Sequence, residues 1–419
     1  MNNIYLINDK KFKSIYISYN FIINLEKEDV SKNAVLVSIL QKSSKKYCTQ
    51  KEIEEYLYSL YGANFDVNIE KIGDAFNIEF RMQCLNKCFL PHKEDVLKNS
   101  LNFLNEIIYN PNIKNNLFDK EIVVRQKQYI IEKIQEQKDD KVQFAINRSL
   151  ELLYPKSPFG SCVYGDENII KKITSGDLYK QYIKLIKNSC INLILAGNLE
   201  GYENIKNDIE EIFKENLSSN LQISDLVTDN LDKNIENRIN EIKEFQDTAQ
   251  SVVTFVMNYN DDENEYLKCL LYNAILGGTP SSKLFQNFRE KESLAYSVRS
   301  IYYKYKKIFL IFAGIKESDF EKAKEVVINQ ISDILAGKIS DEEFEAAKQS
   351  LILDMKNWKD SKKDMVKLEL SNIIENKVTK ISIDTYIDQI NSYKKEDIVN
   401  IAQKINMKQI YLLGGEKNV

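Results

Sequence analysis

The chain runs twice through one order of hydrophobic periodicities. Near its start, KSIYISYNFIINLEKEDVSKNAVLVSILQ (13–41) alternates apolar and other residues, crosses an acidic break and takes up helical spacing. AQSVVTFVMNYNDDENEYLKCLLYNAILGG (249–278) does the same across a similar break. Strand-like AFNIEFRMQCL followed by helix-like EDVLKNSLNFLNEIIYN is answered later by KKIFLIFAGI followed by SDFEKAKEVVINQISDILAGKI. A long helical stretch comes next in both halves. Each half then ends in a helix and an apolar strand closing on Gly, SGDLYKQYIKLIKNSCINLILAGN and KKEDIVNIAQKINMKQIYLLGG. A switch of period from 2 to 3.6, in the same order twice, marks a duplicated strand-and-helix unit.

Strands mixed with runs of helices predict an α+β fold of two homologous domains, each a mainly antiparallel sheet with helices packed on one face. Residues 216–244, polar and poor in aromatics, read as a linker between an N-terminal domain, 1–215, and a C-terminal domain, 245–419. Ser340 with Glu343 three residues on forms a capping box, and Ser175 or Asp177 is placed to cap the helix after 176.

Apolar residues are 43% of the 419, enough for a core in each domain. Charged residues are 29% with a net of −4, which argues against the basic surplus of a nucleic-acid-binding face. The start lacks an apolar run behind a basic head, and no segment approaches the roughly 20 apolar residues of a spanning helix. A soluble, cytoplasmic protein without membrane or nucleic-acid partners is expected. The six cysteines are then reduced and mostly buried. Cys84, Cys88 and His92 have a spacing that would suit zinc on a helix face, but Pro91 interrupts it and no fourth ligand is near, which favours a strand-end turn and no metal. Ser and Cys nucleophiles lack a histidine to activate them, and no Gly-rich phosphate loop is present. EKIQEQKDDK reads as a solvated helix face, and IYYKYKK (301–307) as strand alternation.

One stretch resists so plain a reading. SSKLFQNFREKESLAYSVRS (281–300) turns Leu284, Phe285 and Phe288 inward, leaves Arg289 near a helix end and starts a strand close to Tyr296. Gly277 and Gly278 give backbone room at the turn before it. A guanidinium fork and a phenol on a rigid ring suit the carbonyls of an extended peptide, and the nearby sheet edge suits strand addition. The bland alternative pairs Arg289 with Glu290 or Glu292 and sinks Tyr296 into the core.

ILGGTPSSKLFQNFREKESLAYSVRS resembles the signature of the second domain of insulinase/pitrilysin-family zinc peptidases, the inverzincins, whose pattern LGGG-SSRLF-LREK-LAYSV carries a substrate-binding Arg and Tyr. LLYPKSPFGSCVYGDENIIKKITSGDL and INLILAGNLEG are similar to further segments of that family, so the resemblance covers nearly the whole chain. It implies two homologous α+β domains and assigns peptide binding to Arg289 and Tyr296.

The active members' H-x-x-E-H is missing. Registering LQKSS on the family's LFKGT puts Ala34, Val37 and Ser38 at the two His and the Glu. The third ligand's position falls on Lys133, with Glu132 beside it. The chain has a single histidine, His92, and cannot supply two at any spacing. The resemblance therefore implies the non-catalytic subunit of a heterodimeric peptidase: no catalytic residue, metal ligand or cofactor in this chain, and zinc in a partner chain that carries H-x-x-E-H. The alternative is a catalytically dead peptide-binding or scaffolding protein. The bacterial subgroup most resembled is associated with modification of translation elongation factor P.

Overall fold

The computed structural model of the protein describes residues 3–24, 26–92, 94–155, 157–217, 239–246, 251–261, 265–292, 294–375 and 381–415. Most of the expected linker, 218–238, lies outside the described residues. The first half runs β1 (Ile4–Asn8), β2 (Ser14–Asn24), α1 (Lys27–Leu40), α2 (Gln50–Ser59), β3 (Asn64–Ile72), β4 (Ala75–Leu85) and α3 (Val96–Tyr109). A minimal pair follows, β5 (Ile113–Lys114) with β6 (Leu117–Phe118), then α4 (Lys120–Asp139), α5 (Lys141–Leu153), α6 (Glu167–Lys172), α7 (Ser175–Asn188), β7 (Cys190–Gly197) and α8 (Ile205–Phe213). The second half has β8 (Asn240–Gln246), β9 (Ser251–Tyr259), α9 (Tyr266–Asn273), β10 (Ala295–Tyr303), β11 (Ile308–Ile315), α10 (Phe320–Leu335), α11 (Asp341–Lys359), α12 (Lys362–Ile374), α13 (Ile383–Ser392), α14 (Lys395–Gln403) and β12 (Ile405–Gly415).

The duplication is visible in the sheets. One has the order β1-β7-β2-β4-β3 and the other β10-β11-β9-β12-β8. Counting only the five strands of each sheet within its own half, the first reads first, fifth, second, fourth, third, and the second reads the same when taken from β8. All pairings are antiparallel except β1 with β7 and β12 with β8, so each closing strand returns parallel to its half's opening strand. The predicted class holds.

One compact unit gathers residues 1–135, 161–228 and 358–380. Its core lies between one sheet face (Ile15, Ile17, Tyr19 and Phe21 of β2; Ile78, Phe80 and Met82 of β4; Leu193 and Leu195 of β7) and helices α1, α3 and α7. The periods meet there: every second strand residue faces one stripe of each helix. On the opposite face α12 packs against β7 and β2, with Val366 and Leu370 buried and Lys362 Nζ donating to Ser14 Oγ at 2.8 Å.

The other unit gathers residues 136–160, 229–357 and 381–419. Val253, Phe255 and Met257 of β9 and Phe309, Ile311 and Ala313 of β11 face α9, α10 and α14. The alternate residues, Val252, Val256, Ile308, Leu310, Tyr411 and Leu413, pack against Ala145, Ile146, Leu150 and Leu153 of α5. Burying each of the larger aliphatic chains contributes about 1.5–3 kcal/mol. Each sheet thus has helices on one face and a single helix, drawn from the other half of the sequence, on its second face.

Local signals mostly fall where expected. Ser340 and Glu343 exchange capping bonds of 2.9 and 3.0 Å. At α7 the cap is Thr174, whose hydroxyl accepts from Asp177 N–H at 3.2 Å, so Asp177 completes the box and neither it nor Ser175 is the cap. The strand in IYYKYKK ends at Tyr303; Lys304–Lys306 form a tight turn, and Lys307 takes a left-handed φ of 50°. Among the described residues no helix is long and apolar enough to cross a membrane.

Candidate functional site

The corner at 274–303 is built by small residues under close approach. Beyond α9 the chain makes two wide helical turns, Ala274–Gly278 and Phe285–Lys291, the second closed by Glu292 N–H on Asn287 O at 3.2 Å. Such i→i+5 turns are uncommon and gather at functional sites. A Cβ on Gly277 would stand 2.9 Å from Leu284 Cδ1 and 3.0 Å from Ser300 Oγ; one on Gly278 would stand 3.0 Å from Asn273 O. Here the glycines let the turn lie against β10. Two bonds tie it down, Asn273 Nδ2 to Ser300 O at 3.3 Å and Ser300 Oγ to Asn273 O at 3.2 Å.

The second turn is anchored on its inner side. Leu284 and Phe288 are fully buried, as the spacing predicts, while Phe285 is half-buried. Asn287 Nδ2 donates to Lys283 O at 2.8 Å and to Gln330 Oε1 at 2.9 Å, and the buried Lys283 ammonium meets Glu343 at 2.8 Å. Arg289 stands in this turn and Tyr296 is the second residue of β10; their side chains lie outside the described residues. Glu292, one of the partners the bland reading gave Arg289, is held by Lys322 at 2.6 Å.

The backbone at Tyr296 departs from regular pairing. Ala295 lies opposite Ile315 and Ser297 opposite Gly314, so Tyr296 is an extra residue in the ladder, a bulge. Bulges break the alternation of a strand and are over-represented beside binding sites. β10 is the end strand of its sheet and pairs on one side only, with β11, among the described residues.

The positions that would carry zinc are of another chemistry. Ala34, Val37 and Ser38 are buried on α1, and the Ser38 hydroxyl is committed to Val35 O at 2.7 Å. Lys133 stands over the Tyr129 ring, and Glu132 accepts from Gln128. An aliphatic pair and a hydroxyl bonded to its own helix offer zinc no ligand set, so these residues do not fit the metal. The Cys84, Cys88 and His92 spacing falls across a strand end and a tight turn: Cys84 is buried, its thiol pushed up to about 12 by burial, while Cys88 and His92 are exposed. No group of three or more His, Cys, Asp or Glu suited to a metal occurs among the described residues.

Sequence reading missed a polar patch on the second face of the first unit's sheet, where Tyr16, Ser18, Asn20, Asn77 and Glu79 are all buried. The only signal was alternation, Ser18 and Asn20 between apolar neighbours, which reads equally well as a solvated face.

Known proteins resemble the chain along its length. Residues 172–351 match the family described as the Peptidase M16 inactive domain. A Bacillus subtilis (strain 168) protein named probable inactive metalloprotease YmfF is 23% identical over 418 residues, 98% of this chain and 95% of that one. An uncharacterized zinc protease of Rickettsia felis is 25% identical over 316 residues, 73% of this chain and 71% of its own length. In fold, a conserved protein from Enterococcus faecalis V583 superposes with a TM-score of 0.88 at 24% identity, covering 99% of this chain and 97% of that one. A protease from Helicobacter pylori reaches a TM-score of 0.79 at 15% identity, covering 98% and 96%.

Proposed function

We propose, because this chain belongs to the insulinase/pitrilysin (M16) peptidase family without carrying its zinc motif, that it is the non-catalytic subunit of a heterodimeric peptidase and contributes peptide binding to a partner chain bearing H-x-x-E-H. One contrast carries the reading. The sequence keeps FREKESLAYSV, with Arg289 and Tyr296, while Ala34, Val37 and Ser38 stand at the ligand positions.

In this reading the Arg289 guanidinium and the Tyr296 phenol donate to the carbonyls of an extended peptide, the guanidinium's charge-assisted bonds worth roughly 1.5–3 kcal/mol each and the phenol's neutral bond about 0.5–1.5 kcal/mol. The wide turn that holds Arg289, the bulge at Tyr296 and the end-strand position of β10 support it. An end strand can take a peptide by strand addition, with main-chain bonds supplying affinity. Hydrolysis belongs to the partner. Six free cysteines support a cytoplasmic setting.

The test is a tagged pull-down of this chain from its native cell extract, with mass spectrometry of what co-elutes. A stoichiometric partner of similar length carrying H-x-x-E-H is expected, and the pair should cleave peptides that neither chain cleaves alone. If the chain elutes alone or with an unrelated protein, the peptidase reading fails and a binding or scaffolding role takes its place.

A further inference from the structure

The end strand β10 has two unlike faces. Val298 and Ser300 turn toward the helices, Val298 within the apolar core of the second unit and Ser300 against the turn at Gly277. The alternate residues face the other way: Ser297, Arg299 and Tyr303 stand opposite Gly314, Phe312 and Ile308 of β11. That face carries α5, and Tyr303, Phe312 and Ile308 pack with its Ile146 and Leu150. Exposure rises toward the start of the strand, where Ser297 and Arg299 are both exposed. On its outer side β10 pairs with no strand among the described residues.

Arg299 makes no hydrogen bond, ion pair or ring contact among the described residues. Arg81 and Arg148 differ, each giving two nitrogens to a carboxylate of its own chain, Asp66 and Glu244. An exposed arginine is ordinary on a protein surface. What sets this one apart is its position. It stands on the end strand, three residues beyond the bulge at Tyr296. Its neighbours on this face, Ser297, Ile301, Phe312 and Gly314, are uncharged. The guanidinium is therefore the one formal charge among these positions, at the margin where a further strand would add.

We infer that Arg299 selects an acidic side chain, Asp or Glu, on the peptide that adds to β10; the inference rests on the peptide-binding reading above and gives it a substrate class. A strand added in register sets one residue directly opposite Arg299 on the same face, with Cβ atoms about 4.5–5.5 Å apart. A carboxylate there accepts two parallel N–H bonds from the guanidinium fork. An amide at that place accepts without the charge, and a lysine is repelled. The bulge fixes the spacing between Tyr296 and Arg299. The acidic residue therefore falls at one set distance from the carbonyl that Tyr296 holds, and so from the bond the partner cleaves. The preference is for one position in the peptide, not for negative charge at large.

The experiment follows cleavage by the reconstituted pair of one host peptide that it cuts, with Glu, Gln or Lys placed in turn at each position around the cut bond. At one position Glu should be turned over about fivefold faster than Gln, as a cross-strand charge pair allows, and Lys more slowly than either. Arg299→Gln should level the three. Arg299→Glu should invert the order, with Lys above Glu at that same position. Each result is a ratio between substrates within one preparation, so a general loss of folding or assembly cancels. If the parental pair cuts the host but prefers Glu nowhere, or prefers it at every position alike, the proposal is overturned and the peptidase reading stands. The same holds if Arg299→Glu keeps the parental order. If the pair cuts no peptide at all, the peptidase reading itself has failed, and the acidic preference fails with it.

Discussion

Arg148 of α5 grips both carboxylate oxygens of Glu244 on β8, Nε donating at 2.9 and 3.1 Å and Nη2 at 2.7 Å. Tyr411 OH adds a bond to Glu244 Oε2 at 3.0 Å. The fork fastens a helix from the first half of the sequence to the end strand of the second half's sheet, beside the Gln409–Ser149 bonds of 2.7 and 2.9 Å. Holding Glu244, and to a lesser degree Glu151, keeps the guanidinium protonated more firmly than usual; the same contact lowers the Glu244 carboxyl.

Arg148→Lys keeps the charge and loses the fork. Both side chains are about one-third exposed, 32% and 31%, so solvent screening limits the loss. We expect a cost of about 1 kcal/mol and a melting temperature lower by about 2–4 °C. Differential scanning calorimetry that finds no shift would show the fork to be ornamental.

How far this architecture was legible follows from individual residues. Alternation in β2, β4, β9 and β11 and the helical stripes were plain, because each element buries one face. The capping box at Ser340 was equally plain, since it is local chemistry. What α5 and α12 cover was not: Ile146 and Leu150 make the same amphipathic stripe whichever sheet lies beneath them. The parallel returns of β7 and β12 left no local mark either. At the candidate site, FREKESLAYSV announced itself, but the bulge at Tyr296 depends on pairing with Ile315 and Gly314, which only the folded sheet supplies.

Gly277→Ala places a methyl group 2.9 Å from Leu284 Cδ1 and 3.1 Å from Ser300 Cβ, both buried. Neither neighbour is free to yield, so overpacking should cost about 1–3 kcal/mol. A fall in melting temperature, with reduced capture of the partner, is the expected pair of results. A variant as stable as the parent would mean that the turn does not lie this close to β10.

Glu265 is the hub of an ion network, with Lys268 Nζ at 2.8 Å, Lys404 Nζ at 2.9 Å and the Tyr259 hydroxyl in contact. Burial pushes its carboxyl up, but these three donors outweigh burial and hold it down at about 2, against an ordinary 4.5. A depressed folded-state value means that the stabilisation is complete above 4.5 and fades as pH falls from there toward 2. Wild type should therefore exceed Glu265→Gln in melting temperature at neutral pH and lose that margin on acidification below 4.5. A margin that does not change with pH would sink the assignment.

Arg289→Ala and Tyr296→Phe test the proposed function most directly, each removing donors while leaving the glycines, Leu284 and Phe288 that build the corner. If the two side chains bind peptide carbonyls, each variant should assemble with the H-x-x-E-H partner as the parent does. Each should also lower peptide turnover by the reconstituted pair by about tenfold or more, the worth of a lost charge-assisted or buried hydrogen bond. Arg289→Lys separates charge from geometry: it restores the cation without the planar fork and should recover only part of the loss. Turnover at parental levels in Arg289→Ala, with assembly confirmed by size-exclusion chromatography, would leave the corner a structural feature and move peptide binding elsewhere in the pair.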